Sequence, residues 1–214
     1  TEEQIQKLIE QAKTDHGVDL EIDKTYRYCV LSNRKKNYLG VTNSGKVDVK
    51  GLTGKKSHTP AFIKKLFFEL LDVLAEVQTM EDFVKAKKAI SEKIADCGKK
   101  VEAKEIPLED LTFNVMLSKA PSEYVKTIPQ HIRAAKQLES IKELKKGDKI
   151  SFIKILNKPG VKPVELAKKE EIDSKKYMEF LESTLEQITS SMDLDFDTIL
   201  GKPKQTGLDE FFWS

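Results

Sequence analysis

The sequence predicts a fold of the α+β class, with a helix and strands first, then a mostly helical region containing a small β element, and last a flexible C-terminal tail. Two observations predict this order. Alternating apolar and polar residues, typical of strands, are concentrated before about residue 58, whereas apolar residues spaced three and four apart, typical of helices, predominate after it. Because strands and helices would form different layers around different cores, we divide the chain into residues 1–58, 59–200 and 201–214.

The first region begins with an amphipathic helix over residues 3–15, which Gly17 ends. The apolar residues on one face of this helix are Ile5, Leu8, Ile9 and Ala12. Residues 18–32 alternate apolar and polar side chains and so predict one strand, either regular or bulged midway. Residues 37–52 predict two short strands joined by a tight turn at residues 43–45, because Asn, Ser and Gly tolerate a left-handed backbone.

The second region is predicted to be mainly helical. Pro60, a favourable first-turn residue, precedes a wide apolar stripe formed by Phe62, Ile63, Leu66, Phe67, Leu70, Leu71 and Leu74. A second helix is predicted from about Met80 to Cys97, a turn and strand within residues 107–117, and a helix over residues 129–138. Alternation in residues 146–156 predicts another strand. The last long helix is marked by Tyr177, Phe180, Leu181, Leu185 and Ile188.

The composition is that of a folded, highly charged globular protein, with 39% hydrophobic and 34% charged residues. No apolar run approaches the roughly 20 residues that a membrane-spanning helix needs, and the first residues are too polar for a signal peptide. We therefore expect an intracellular protein with no membrane partner. Cys29 and Cys97 form no CxxC pair, and we expect both to be reduced, buried thiols.

Positive charge is concentrated in one segment, although the formal net charge of the chain is only +2. Residues 32–65, here called the basic block, contain nine Lys or Arg residues and a single acid, Asp48. Lys35 and Lys36 stand beside Tyr38 at the edge of the predicted hairpin, where they could bind phosphates. The alternative is a solvated edge whose lysines prevent aggregation between sheets.

The order of short motifs in this block resembles that of family B DNA polymerases. KKNYLGV, then VDVKGL, then the pair Lys55 and Lys56 is similar to the stretch that joins the palm to the thumb in that family. The segments LSKAPSEYVKTIPQHIRAAKQL, LKKGDKISFIKI and KPVELAKKEEIDSKKYMEFLESTLEQI resemble successive thumb segments of its archaeal members. The resemblance covers essentially the whole chain and implies that residues 1–58 end the palm and 59–200 form the thumb.

The resemblance also implies which residues contact primer-template DNA. They are Lys35, Lys36, Tyr38, Lys50, Lys55, Lys56, Lys119, Tyr124, Lys126, His131 and Arg133. Lysine and tyrosine suit contacts to phosphate and sugar that ignore base sequence. The family usually has two arginines at the positions of Lys55 and Lys56, so charge is kept there but bidentate phosphate binding is lost. For His131, a helix-packing role is the alternative.

Catalysis is expected to depend on another polypeptide or segment. The family's Tyr-x-Asp-Thr-Asp element is absent from the sequence, and the histidines lack metal-ligand spacing, so no metal site is predicted here. Glu21 resembles a carboxylate near the family's metal site, but an exposed strand glutamate is the alternative. The resemblance implies Mg²⁺ in a complete polymerase, a larger polymerase chain as partner, a nucleoid-associated cytoplasmic location, and no activity for this chain alone.

Two questions about this resemblance stay open. The chain resembles either the smaller subunit of a polymerase encoded as two chains or a fragment of a single-chain enzyme. A DNA-binding accessory module without a catalytic partner is the competing function.

The tail, GKPKQTGLDEFFWS, matches the clamp-binding spacing Q-x-x-L-x-x-F-F at Gln205, Leu208, Phe211 and Phe212. On one helical turn the three apolar side chains would project together into a pocket, while the Gln205 amide would bond at its rim. This predicts a sliding clamp as partner. The alternative is an aromatic tail that folds back on its own domain.

Overall fold

The computed structural model describes residues 2–32 and 35–202. Its helices are α1 (Glu2–His16), α2 (Ala61–Ala75), α3 (Met80–Glu102), α4 (Gln130–Leu138), α5 (Ser174–Thr189) and α6 (Phe196–Ile199). Its strands are β1 (Tyr28–Leu31), β2 (Tyr38–Val41), β3 (Val47–Lys50), β4 (Phe113–Met116), β5 (Lys149–Lys154) and β6 (Val161–Pro163). The strands form two antiparallel sheets in the orders β1-β2-β3 and β4-β5-β6, so the predicted α+β class is confirmed.

The hairpin and the long helices form where the residue patterns predict them. The β2–β3 turn contains Gly45 at φ 82°, a left-handed conformation that costs glycine little. Helix α2 buries all seven residues of its predicted apolar stripe. Helix α3 begins with a capping box, in which Thr79 Oγ1 accepts from the Asp82 N–H and the Asp82 carboxylate accepts from the Thr79 N–H. It continues to Glu102, beyond the predicted end at Cys97.

The prediction of one strand over residues 18–32 is wrong. Only Tyr28–Leu31 forms a strand, and residues 17–26 have no regular secondary structure. The apolar residues that suggested it, Val18, Leu20 and Ile22, are 47%, 41% and 48% exposed. Alternation stabilises a strand only where a neighbouring strand and a core accept it, and the described part of the chain supplies neither to this segment.

The prediction that both cysteines are buried is also half wrong. Cys97 of α3 is buried in the apolar core, but Cys29 is exposed. Cys29 alternates with Tyr28 and Val30, which point into the core, so it is on the outward side of β1. The two thiols are free.

A continuous apolar core joins the first sheet to the helices. It contains Leu39 and Val41 of β2, Phe67 of α2 and Leu185 of α5. Separate cores therefore do not distinguish the segments before and after residue 58, and the division of the chain into domains stays a prediction. No helix among residues 2–32 and 35–202 is long and apolar enough to cross a membrane.

Helix α5 contacts the second sheet near its start and the segment after β3 near its end. Near its start, Tyr177 is fully buried, donates to the Leu111 carbonyl (2.8 Å) and accepts from the Lys154 N–H (3.0 Å). Near its end, Gln187 accepts from the Thr53 N–H (2.9 Å). At about 1.5 Å per residue, these anchor points are roughly 15 Å apart along the helix. The β4–β5–β6 sheet and the segment after β3 are thus held at different positions on one rigid element.

Candidate nucleic-acid interface

The outer face of the first sheet carries two of the predicted DNA contacts. Leu39 and Val41 are fully buried in the core, so Tyr38 and Gly40 of the same strand point to the opposite face. Tyr38 pairs with Lys50 across β2–β3, and directly opposed residues lie on the same face. A tyrosine from KKNYLGV and a lysine from VDVKGL are therefore neighbours on this face.

The turn that carries Lys35 and Lys36 packs against the end of β3. Both lysines are exposed, and Lys36 is held in the left-handed region at φ 61°. A Cβ atom at Gly51 would lie 2.5 Å from the Lys36 carbonyl oxygen, so only glycine permits this approach. Gly51 itself has φ 71°. The glycine after Lys50 thus brings the lysine turn next to β3.

Asp48, the single acid of the basic block, accepts two hydrogen bonds on one carboxylate oxygen. Lys24 Nζ lies 2.6 Å and Tyr26 Oη 2.7 Å from Asp48 Oδ2. The bond from Lys24, followed by that from Tyr26, lowers the pKa of the Asp48 carboxyl, and the same bonds raise the pKa of the Lys24 ammonium and of the Tyr26 phenol. Near neutral pH the cluster is therefore an ion pair with a bound phenol.

The Tyr26 ring covers Gly40 on the outer face. A Cβ atom at Gly40 would lie 2.5 Å from two carbons of that ring. The ring meets Tyr38 edge to face, with centroids 6.1 Å apart and planes at 62°. A bend at Arg27 makes this possible, because it turns Tyr26 away from the core side, on which the Tyr28 hydroxyl donates to the Leu74 carbonyl.

Lys55 and Lys56 are exposed on and just after a 3-10 turn, Thr53–Lys55. The turn is pressed close to α2, since a Cβ atom at Gly54 would lie 2.3 Å from the Phe67 ring. Its first N–H donates to Gln187 of α5. The turn is held by the core, while both ammonium groups stay in solvent. We call Lys35, Lys36, Tyr38, Lys50, Lys55 and Lys56 the hairpin patch.

The remaining predicted contacts lie around the start of α4. Lys119 Nζ stands 4.6 Å from the centroid of the Tyr124 ring, and the Tyr124 hydroxyl shares a 2.8 Å hydrogen bond with Ser118. The His131 ring packs edge-on against Tyr124, with centroids 6.3 Å apart. We call Lys119, Tyr124, Lys126, His131 and Arg133 the α4 patch.

The members of the α4 patch differ in how free they are to bind phosphate. Lys126 is exposed in the loop before α4. Arg133 is exposed, although its Nη1 donates to the Pro159 carbonyl at 3.2 Å. Burial lowers the pKa of His131, so its ring is largely neutral at pH 7 and adds little positive charge.

The other predicted functional residues are not part of either patch. Glu21 is exposed in the irregular segment before β1. Among the described residues, no group of three or more His, Cys, Asp or Glu side chains could hold a metal ion. The tail motif (Gln205, Leu208, Phe211 and Phe212) lies outside the described residues, as does Arg34 of the basic block.

Sequence reasoning missed three residues that shape the hairpin patch. Lys24 and Tyr26 come before β1 and were interpreted as part of one strand over residues 18–32, either regular or bulged midway. Asp48 was noted only as the single acid of the basic block. Its isolation among nine basic residues was the available signal, because a lone carboxylate in such a segment needs a partner.

Comparison with known proteins agrees with the sequence resemblance. The family model described as DNA polymerase family B matches residues 2–197. The chain belongs to this family. Among curated family B relatives, DNA polymerase 1 of Sulfolobus acidocaldarius is 40% identical over 100% of the chain and 24% of its own length. DNA polymerase 1 of Aeropyrum pernix is 36% identical over 92% of the chain and 21% of its own length.

A solved family B polymerase shares the fold. The structure of the enzyme from the hyperthermophilic archaeon Pyrobaculum calidifontis matches with a TM-score of 0.59 at 17% sequence identity, over 95% of this chain and 25% of that one. The chain thus spans about a quarter of the length of the family B polymerases it matches.

Proposed function

We propose that this chain is the part of a family B DNA polymerase that grips the primer-template duplex, comprising the end of the palm and the thumb. The observation that carries the proposal is the juxtaposition of Lys36, Tyr38 and Lys50 around one corner of the first sheet. Two ammonium groups and a phenol suit contacts to phosphates and sugars that are independent of base sequence. A polymerase needs such contacts, because it must hold any template.

The α4 patch would provide a second grip on the same duplex. Its cationic side chains Lys119, Lys126 and Arg133 extend from the loop and helix that follow β4. Helix α5 holds both the turn that carries Lys55 and the β4–β5–β6 sheet. Two grips held at fixed separation would keep the duplex in register while the primer end reacts, which favours repeated nucleotide addition without release.

An exposed apolar surface supports a larger polymerase as the partner. Helix α1 buries none of its residues, and Leu8 is 62% exposed. The next segment exposes Val18, Leu20 and Ile22 as well. Several exposed apolar residues in neighbouring segments are typical of a surface that another protein segment covers. A stand-alone accessory module would gain nothing from it, so we favour the polymerase function.

The catalytic metal site is proposed to lie on that larger partner. Among the described residues, no group of three or more His, Cys, Asp or Glu side chains could hold a metal ion, and Glu21 alone is insufficient. Mg²⁺ would serve the complete polymerase by stabilising charge during phosphoryl transfer. This chain would hold and align the duplex. Its tail, through Gln205, Leu208, Phe211 and Phe212, would bind a sliding clamp.

Mixing tests the proposal. The 214-residue chain is combined with a polypeptide that supplies the rest of a related family B polymerase, and primer extension is measured for each alone and for the mixture. We expect extension that depends on adding this chain. If the chain bound duplex DNA but never rescued extension, the accessory-module function would replace the polymerase function.

A further inference from the structure

The cluster around Asp48 occupies an unexpected place for an acid. Asp48 pairs with Gly40 across β2–β3, two residues from the pair formed by Tyr38 and Lys50. All four therefore share the outer face of the sheet. On a surface that binds phosphates, a carboxylate opposes binding through repulsion. Its presence at this position calls for a role that outweighs that cost.

The contacts of Asp48 indicate what that role is. Its side chain is 26% exposed and receives Lys24 and Tyr26 on one oxygen. Tyr26 is not part of β1, because it lies before the bend at Arg27. The bond to Asp48 thus ties the irregular segment before β1 onto the outer face of the hairpin.

Gly40 and Tyr38 show what the tied segment does. With no Cβ at Gly40, the Tyr26 ring settles directly on the β2 backbone. From there its ring meets the Tyr38 ring at 6.1 Å. A half-buried tyrosine without such a neighbour would populate several rotamers and lose that freedom on binding. Against Tyr26, Tyr38 is held in one orientation before any ligand arrives.

We propose that Asp48 and Tyr26 are positioning residues for Tyr38: the carboxylate anchors the Tyr26 ring in the Gly40 notch, and that ring holds Tyr38 ready to contact the duplex. The inference rests on the proposed function of the hairpin patch. Lys24 completes the arrangement, because its ammonium group neutralises the carboxylate toward approaching phosphates.

The sign of one mutational effect distinguishes positioning from simple electrostatics. Asp48→Asn and Asp23→Asn each remove one negative charge, and Asp23 is an exposed acid in the same tied segment. The affinity of the full chain for a short primer-template duplex is measured at several salt concentrations. We expect Asp23→Asn to leave affinity unchanged or to tighten it, and Asp48→Asn to weaken it about fivefold. Equal tightening by both variants would overturn the proposal.

Substitutions of Tyr26 supply a second, independent measurement. Tyr26→Leu removes the ring and is expected to weaken binding about as much as Asp48→Asn does. Tyr26→Phe keeps the ring but removes the hydroxyl that Asp48 binds, so it should weaken binding about as much as Asp48→Asn does. In a Tyr38→Ala background neither Tyr26 variant should matter, since nothing remains to be positioned. Losses that persist undiminished without Tyr38 would overturn the proposal.

Failure of the proposed function would show separately. If Lys36→Ala left both the affinity and its salt dependence unchanged, the hairpin patch would not bind the duplex, and this inference would fall with it. If Lys36→Ala weakened binding while Asp48→Asn and Tyr26→Leu did not, only the positioning role would be overturned. Circular dichroism of each variant establishes that it is folded; should Asp48→Asn unfold the chain, the Tyr26 comparison decides.

Discussion

The backbone N–H of Thr53 donates a hydrogen bond to Oε1 of Gln187, 2.9 Å away, although 134 positions separate the two residues. Gln187 is only 6% exposed and Thr53 is half-buried, so this bond lies at the edge of the core that contains α5 and the first sheet. It fixes the 3-10 turn that presents Lys55. A buried amide thereby links the predicted DNA-contacting lysines to the helix that also supports the second sheet.

Replacing Gln187 by leucine should destabilise the chain. The substitution leaves the Thr53 N–H without its partner in a partly buried site, which costs about 1–3 kcal/mol. Urea unfolding followed by circular dichroism measures this as a lower midpoint at an unchanged slope. Glu186→Leu, on the exposed side of the same helix, is the matched control and should change stability by less than about 0.5 kcal/mol. Equal effects of the two variants would contradict a role for the bond.

Two substitutions at Lys36 should separate charge from backbone strain. Lys36 is at φ 61°, where a side chain costs roughly 1 kcal/mol relative to glycine. Lys36→Gly should therefore stabilise the fold slightly, whereas Lys36→Ala should not. Both should weaken duplex affinity and reduce the slope of its log–log salt dependence by about one, because each loses one phosphate contact.

Salt titrations of duplex binding and urea unfolding of the same samples measure the two effects. Lys136→Ala, at an exposed lysine of α4 outside both patches, is the charge-matched control. A slope unchanged by either Lys36 variant would remove Lys36 from the interface.

The regions predicted correctly are those whose residue pattern is complete within a short stretch of sequence. The stripe from Phe62 to Leu74 implied α2 because its residues face one core, and the turn residues 43–45 fixed the hairpin. Strand β6, three residues between Gly160 and Val164, is too short for any periodicity to show. Helix α6 is equally short.

The candidate site divides in the same way. The lysines and Tyr38 were predicted from motif resemblance, and the hairpin pairing then placed Lys50 opposite Tyr38. The hydrogen bond between Tyr26 and Asp48 was missed because it depends on a bend at Arg27. This bend places the Tyr26 side chain on the face opposite to the one that a continuous strand would give it. The strand prediction for residues 18–22 was wrong for a different reason: their apolar side chains are exposed, and the segment pairs with no strand of the described structure.

The exposed apolar face of α1 predicts that a charge placed on it will weaken association with a partner more than it weakens the stability of the chain. Leu8→Asp places a carboxylate on the apolar face of α1, where Leu8 is 62% exposed. The isolated chain should lose less than about 0.5 kcal/mol of stability, because Leu8 is mostly uncovered by the described residues. Association with the larger polymerase polypeptide should weaken at least tenfold, since an unpaired charge would be buried.

The matched control for Leu8→Asp is Val84→Asp on α3, where the valine is 64% exposed. Association is measured by titrating one polypeptide into the other, and function by primer extension of the mixture. Equal weakening by both variants would mean that α1 is not the contact surface.

The two thiols should differ in reactivity. Cys29 is exposed and Cys97 is buried, and burial raises the pKa of Cys97 to about 11. Burial also raises the pKa of Cys29, so both groups are mainly protonated at pH 8 and react as minor thiolate fractions. Alkylation of the folded chain should modify Cys29 alone, at a rate that rises about tenfold per pH unit below its pKa.

Mass spectrometry of the alkylated chain measures this, and unfolding in urea should expose the second site. Cys29→Ser should abolish native labelling, whereas Cys97→Ser should leave it unchanged. Modification of Cys97 in the folded chain would contradict its burial in the core.

The tail should separate clamp-dependent from clamp-independent synthesis. Deleting residues 205–213 removes Gln205, Leu208, Phe211 and Phe212, the groups proposed to enter the clamp. The deletion should abolish stimulation by the clamp while leaving distributive primer extension within about twofold of the intact chain. The reason is that the proposed duplex contacts belong to the hairpin and α4 patches, which precede the tail. Leu208→Ala with Phe211→Ala should reproduce the deletion at full chain length, and Lys204→Ala is the control that keeps the apolar groups. Loss of both stimulated and distributive synthesis in the deletion would mean that the tail packs on its own domain.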